Sequence, residues 1–562
     1  MLFKYDLTAL LAVAGSTLAV PAESIAVNSD SGYPWRWVGA KQNHAYWFDE
    51  LESTLGVMQS SLFWNGTYWP ETIQWIGAVL DTLVASSERS LTYALESYKS
   101  DGLGAQSSTA SLQAEIKKYY SEIEAYYDDE DVIQIFGAAY DDAQWVVLEW
   151  LEVIKFINQY EAYASSDFGR ADIARFAHRA HIFYNIVQTQ FDTSLCGGGI
   201  NWNPALAPYK NAITNELFLS SSIEMYLYFP GDSNTDPYPS PTYTNVTNIT
   251  LPDLPPLAPH DPLLLSNAIK EYDWFKTHNF TNSQGLIVDG FHISPNQTTC
   301  DQRNEMVYTY NQGVLLSGLR QLWEATGNPQ YLTDAYTYIE STQTATGWSS
   351  HTSSQANQWA GLGRNGIMED YCDAPANCSQ DAQIFKGIYF QHLDVFCEAL
   401  PTETPLVPGV TYTATASLAA SHAKKCREYL PWVEHNAHAA LSTRDARGVV
   451  GGWWGASFVN KTQEPWPAFA VQKPEGSLDE WNEGWRLGGP PWECRGWHCR
   501  IDGRGSHGNG LAMRRLLRQR RGVVEGRQDP NDEGRGRTVE TQGSGIGVVK
   551  AASDLCAARQ GR

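Results

Sequence analysis

Basic residues are scarce in this 562-residue chain, with 40 Lys and Arg against 63 Asp and Glu. The formal net charge of −23 excludes a nucleic-acid backbone or an anionic membrane surface as partner of the main body. No CxxC pair of zinc type occurs. His178/His181 and His435/His438 have helical i,i+3 spacing but no third ligand in view, so they read as solvated or core histidines rather than a metal site. GxGxxG and GxxxxGK[ST] are also missing, which removes the common phosphate loops. Alternating β-type runs are few, and no repeat of fixed period appears, which argues against a solenoid. Neither a metal nor a cofactor is called for.

Aromatic residues are abundant, with 21 Trp and 29 Tyr. Sugar rings stack on aromatic faces, although a large helical core also consumes Trp. Helical periodicity dominates residues 40–445. Candidate helices cover 43–60, 71–99, 109–126, 141–163, 169–190, 210–228, 262–278, 309–326, 330–345, 381–399 and 415–443. They come in pairs joined by Gly/Pro/Asn-rich loops, the pattern of a closed all-α toroid of helix hairpins. Residues 1–22 have the form of a signal peptide, residues 23–470 read as the main folded domain, and the Pro- and Thr-rich stretch 229–262 is an exposed loop. The Arg/Gly-rich segment 471–562 reads as a tail, disordered or a translation artefact.

Sequons at Asn65, Asn245, Asn248, Asn279, Asn296, Asn377 and Asn460 fit a secreted or wall-associated glycoprotein. In an oxidising compartment most of the nine cysteines would pair. Cys372 and Cys378 bracket a short loop and are natural partners. Cys196, Cys300, Cys397 and Cys426 allow several pairings, Cys556 is the candidate odd thiol, and Cys494 and Cys499 in the tail are uninformative.

The candidate chemistry starts at "YDDAQW", where Asp141 and Asp142 open a long apolar helix. One reading is helix capping, with Gln144 completing a capping box. The other is a pair of catalytic carboxylates. The acidic run Asp128, Asp129, Glu130 and Asp131 lacks the glycine and spacing of a calcium loop and reads as solvated. Further on, "CGGGINWN…YKNAITNELF" puts three glycines before Trp202, a pattern that permits close backbone approach to a ligand. "YNQGVLLSGL" carries Tyr310, Asn311 and Gln312 at a helix start. "GIMEDYCD…C…D…FKGIY" gathers Glu369, Asp373, Asp381 and Lys386 around the expected disulfide.

In this order and spacing these stretches resemble glycoside hydrolase family 76, the fungal and bacterial endo-α-1,6-mannanases, over roughly residues 35–460. The resemblance implies an (α/α)6 barrel with a groove for α-1,6-mannan, and an aspartate pair acting with retention of configuration. Asp141 would be the nucleophile and Asp142 the general acid/base. The groove would be lined by Tyr140, Trp145, Trp202, Lys210, Asn211, Asn215, Tyr310, Asn311, Gln312 and Glu369. Asn201 departs from the family, which usually has an aromatic before the tryptophan. Neighbouring aspartates suit retention, because retaining enzymes hold their carboxyls only about 5–5.5 Å apart.

The expected protein is thus a monomeric, secreted endo-α-1,6-mannanase acting on α-1,6-mannan or its oligosaccharides, with no nucleic acid and no stable membrane insertion. Three alternatives stand beside it. One is a wall transglycosidase acting on mannan-type glycans of GPI anchors, another an (α/α)6 glycosidase of different linkage, and the third a non-catalytic mannan-binding wall protein. The ending "DLCAARQGR" lacks the hydrophobic tail a GPI anchor needs, which favours the soluble hydrolase.

Overall fold

The computed structural model describes residues 43–63, 65–101, 106–348, 357–458, 471–477, 531 and 536–559. The expected signal peptide and most of the Arg/Gly-rich segment, with Cys494 and Cys499, lie outside these residues. Among the described residues there are fourteen α-helices: α1 (His44–Ser61), α2 (Gln74–Asp101), α3 (Gln106–Asp129), α4 (Val132–Phe136), α5 (Tyr140–Ala164), α6 (Ile173–Gln188), α7 (Ala212–Tyr228), α8 (Pro241–Thr247), α9 (Pro262–Thr277), α10 (Val314–Thr326), α11 (Gln330–Ala345), α12 (Phe385–Cys397), α13 (Ala416–Leu441) and α14 (Val539–Arg559).

Their contacts form two concentric rings. Helices α2, α5, α7, α10, α12 and α14 pack each on the next, and α14 closes the circle against α2. Outside them α3, α6, α9 and α11 back α2, α5, α7 and α10, while α1 and α13 flank α14. This is an (α/α)6 barrel. The inner layer is buried on nearly every side: all of α12 and all of α7 except Tyr226 and Tyr228 are buried, polar residues included, and neither presents a solvent face. Starts and stops are set locally. Asp261 caps α9 by accepting from Leu263 N–H, with Pro262 in the first turn, and Gly327 ends α10 in the left-handed region.

Two expectations change here. The end of the segment expected as a tail is the sixth inner helix. α14 buries Ile546, Val548, Val549, Leu555 and Cys556. Its Lys550 pairs with Asp394 of α12 and with Asp554, which in turn accepts from Ser90 of α2 at 2.7 Å. The misreading came from judging periodicity: a helix buried on every side has none. The loop 229–262 is largely exposed, as expected, and is anchored to the barrel. Asp232 and Leu257 form a β-bridge, and Asp232 Oδ2 lies 2.8 and 3.0 Å from Nδ1 of His178 and His181. Finally, the helices expected at 309–326 and 381–399 each begin with a separate 3-10 turn, Tyr310–Gln312 and Asp381–Gln383.

Disulfides join Cys196 to Cys300, Cys372 to Cys378 and Cys397 to Cys426, and Cys556 is buried and joins no disulfide among the described residues. All six sequon asparagines among the described residues are exposed. Disulfides and accessible sequons fit the secretory route. None of the described helices is long and apolar enough to cross a membrane.

Candidate active site

One end of the inner ring opens into a cleft of about 1170 Å³. Five inner helices feed it from their N-terminal ends. Trp75 opens α2, Asp141 and Asp142 open α5, and Asn211 precedes α7. Tyr310 and Asp381 sit on the 3-10 turns ahead of α10 and α12, and Phe385 begins α12. Helix N-termini carry positive partial charge, so this end of the barrel favours carboxylates.

The Asp pair is not an N-cap. Ala139 is the N-cap residue of α5 and makes no side-chain cap bond, while both aspartates lie in the first turn. Tyr140 N–H, one of the helix's orphan donors, is satisfied instead by Trp202 O at 2.9 Å. Trp202 returns to the same turn through its indole, which donates to Asp141 Oδ2 at 3.1 Å. Asp141 Oδ1 is buried and has no hydrogen-bond partner among the described residues.

The two carboxyls differ electrostatically. Burial raises Asp141 to about 7, and the nearby Asp381 adds to this. The first-turn amides and the Trp202 indole pull the other way. Asp142 is driven well above the ordinary carboxylate range by burial, then by the charges of Asp141 and Asp381, with only the Ala139 amide opposing. Asp141 is therefore the group that ionises first, and Asp142 the one that keeps its proton.

Two further carboxylates face the cleft. Asp381 accepts from the Trp75 indole at 3.0 Å. Asp289 accepts from the Tyr209 hydroxyl, from Asn304 Nδ2 at 3.4 Å and from Asn311 Nδ2 at 3.3 Å. Aromatic walls complete the site. Trp75 stacks on Trp145 with ring centres 5.7 Å apart, and Tyr310 stacks on Phe385 at 3.8 Å. Asp289, Trp75, Tyr209, Tyr308 and Phe385 escaped the sequence reading. Asp289 sits in "GLIVDGF", a short apolar run that carries no signal of a site, and the antiparallel sheet of Tyr209–Asn211, Gly290–His292 and Gln302–Asn304 is what brings it forward.

Of the residues expected to line the groove, Trp145, Trp202, Asn211 and Tyr310 do so beside the Asp pair. Asn311 lies one step behind, orienting Asp289. The others are corrected by their contacts. Fully buried Lys210 donates to Gly199 O at 2.6 Å, and burial lowers its pKa to about 8. Asn215 brackets Ile200, accepting from its N–H at 2.7 Å and donating to its C=O at 3.1 Å. Gln312 does the same for Ile287, at 2.8 Å both ways. Glu369 is buried against Arg364 at 3.1 Å. Tyr140 faces a neighbouring cavity rather than the cleft. These side chains satisfy buried backbone or one another, which is what polar groups away from water must do.

The glycine cluster also has a different purpose from the expected one. A Cβ on Gly198 or Gly199 would come within 2.6 Å of Trp274, and both have positive φ. The glycines let the loop wrap the Trp274 ring, whose indole donates to Cys196 O at 3.0 Å. The clamped loop then presents Trp202 to Asp141.

Comparison with known proteins follows the same line. Residues 259–455 match the model of glycosyl hydrolase family 76. That segment holds Asp289, Tyr310, Asp381 and Phe385, while the Asp pair and Trp202 precede it. A mannan endo-1,6-alpha-mannosidase DCW1 of Candida glabrata is 24% identical over 250 residues, 43% of this chain and 44% of that protein. The Saccharomyces cerevisiae DCW1 is 22% identical over 252 residues, 44% of each. The match thus spans less than half the length of these curated relatives. Among solved structures, an inactive variant of the alpha-1,6-mannanase GH76A of Salegentibacter sp. HEL1_6 in complex with alpha-1,6-mannotetrose is 16% identical. It covers 91% of this chain and 99% of that one, with a TM-score of 0.47.

Proposed function

From a chain whose residues 259–455 belong to glycosyl hydrolase family 76, and which is a distant homologue of fungal mannan endo-1,6-alpha-mannosidases, we propose a retaining endo-α-1,6-mannanase. The observation that carries this reading is the division of labour between adjacent carboxyls in an aromatic-walled cleft, Asp141 the more readily ionised and Asp142 held protonated.

In the first step an Asp141 oxygen attacks the anomeric carbon of a mannosyl unit. The bond from that carbon to O6 of the next sugar breaks, and Asp142 gives its proton to the departing oxygen. The Trp202 N–H holds Oδ2 and fixes the carboxylate plane. In the second step Asp142, now ionised, takes a proton from water, whose oxygen displaces Asp141 and restores both groups. An acceptor hydroxyl in place of that water would give transglycosylation by the same route. Asp289 and Asp381 are suited to accept hydrogen bonds from sugar hydroxyls, and the stacked aromatics to sugar faces.

The test is turnover of linear α-1,6-mannan by wild type, Asp141→Ala and Asp142→Ala. Wild type is expected to release oligosaccharides whose first-formed reducing ends are α, and both folded variants to lose nearly all activity. Mannan binding without turnover by the wild type would make this a binding protein, and an initial β-anomer would eliminate the double displacement.

A further inference from the structure

A second cavity, with about 1100 Å³ of empty space, lies against the catalytic turn on its far side. It shares Ala138 and Ala139 with the cleft, so the wall between the two is the smallest that side chains other than glycine can build. Asp141 and Asp142 look into the cleft, and Tyr140, on the same turn, looks into the second cavity. The remaining walls come from α4, α6 and the pinned loop, with Phe136 beside Tyr140 and a neutral polar set of Asn185, Thr189 and Gln190.

That lining selects a class of occupant. The lining is mostly aliphatic, and the rings of Phe136 and Tyr140 stand in it beside amide and hydroxyl groups, with Asp253 the one carboxylate and no basic residue. That combination suits a neutral ring with apolar faces and hydroxyl edges rather than an anion. Sharing Ala138 and Ala139, the two spaces lie on either side of one stretch of chain, which ties the occupant to whatever lies in the cleft. An α-1,6-linked backbone engages O1 and O6 of each ring and leaves O2, O3 and O4 free. We infer that the second cavity receives a mannosyl side branch of the backbone bound in the cleft, making Tyr140, Asn185 and Gln190 specificity-determining residues for branched mannan. The fold is consistent with a built pocket. The loop forming its back wall is anchored at Asp232 by both His178 and His181, and Asn185 is held by Gln188 Nε2 at 2.9 Å.

The inference rests on the mannan reading, and the test keeps the two apart. In the turnover-dead Asp141→Asn/Asp142→Asn protein, calorimetry compares linear α-1,6-mannotetraose with the same backbone bearing one mannosyl branch at O2, O3 or O4. One branched isomer is expected to bind at least about tenfold more tightly than the linear chain, as added ring contact and hydrogen bonds would give. Asn185→Trp, which fills the cavity, and the milder Gln190→Ala should each shrink that advantage, the former erasing it. Linear binding with no preference for any branched isomer overturns the inference alone, as does a preference that survives both substitutions. Binding of neither ligand overturns the mannan reading with it.

Discussion

At the scale of single residues the site turns on how Trp202 biases Asp141. The indole N–H favours the ionised carboxyl, against burial that pushes its pKa to about 7. Trp202→Phe keeps an aromatic ring and deletes the donor, so Asp141 should hold its proton to higher pH. The acid limb of kcat/KM is then expected to move up by about half to one pH unit, as an apparent value belonging to the pair. An unmoved limb in the folded variant would remove the indole from the ionisation of the nucleophile. Roles within the pair separate by leaving group. On an activated aryl mannobioside, which needs no acid, Asp142→Ala should recover part of its rate and Asp141→Ala none. Equal recovery by both would leave the assignment without support.

Among the elements, the loop between α6 and the first strand carries the clearest mechanical load. Gly199→Ala would drive a Cβ into the Trp274 ring and strain a residue at φ +77. The expected cost is about 1–3 kcal/mol, read from chemical denaturation, together with reduced turnover because Trp202 rides on the same loop. Full activity and unchanged stability would show that the loop can re-seat. This loop also shows how far the sequence could be read. The motif was visible, and so was its importance, but its glycines looked like a ligand cradle because sequence does not say that Trp274, some seventy-five positions on, fills the space beneath them. The long amphipathic helices and the Asp pair were legible because their signals are local. Asp289, the walls Trp75 and Phe385, and the true placement of Lys210, Asn215, Gln312 and Glu369 were not, because each depends on contacts made by distant strands and turns. Helix α14 was missed for a related reason, since burial on all sides leaves no polar face to set a period.

For the molecule as a whole, acid titration should govern stability. Asp81 and Glu88 of α2 and Glu149 of α5 are buried together with Glu130, the residue after α3, which, contrary to the solvated reading of its acidic run, turns inward to Arg179. Burial first, then mutual repulsion, raises Asp81, Glu88 and Glu149 well above ordinary carboxyl values. Arg179 pairs with Glu130 at 2.8 Å and holds its rise to less. The sign follows from proton counting. Above about pH 4.5 the unfolded chain sheds protons that the folded chain keeps, so stability contributed by these groups is fullest below that pH and falls as pH rises toward the folded values. Each proton retained only by the folded state contributes a slope of about 1.4 kcal/mol per pH unit. Denaturation between pH 5 and 8 should therefore show declining stability, and Glu149→Gln a shallower decline. A flat profile in the wild type would mean the cluster ionises without penalty.

Closure of the inner ring by α14 has a bearing on biosynthesis. Bonds such as Gln542 to Thr54 and Ser90 to Asp554 join positions 488 and 464 residues apart. A nascent chain that has already assembled five inner helices still shows an open apolar seam between α12 and α2. About 120 residues separate Leu441 at the end of α13 from Arg559 at the end of α14, so at ordinary synthesis rates the seam stays unsealed for roughly 6–24 s. Through that interval the half-closed barrel presents sticky edges to its neighbours, and a holding chaperone, rather than the intrinsic speed of helix formation, would set the yield of finished protein.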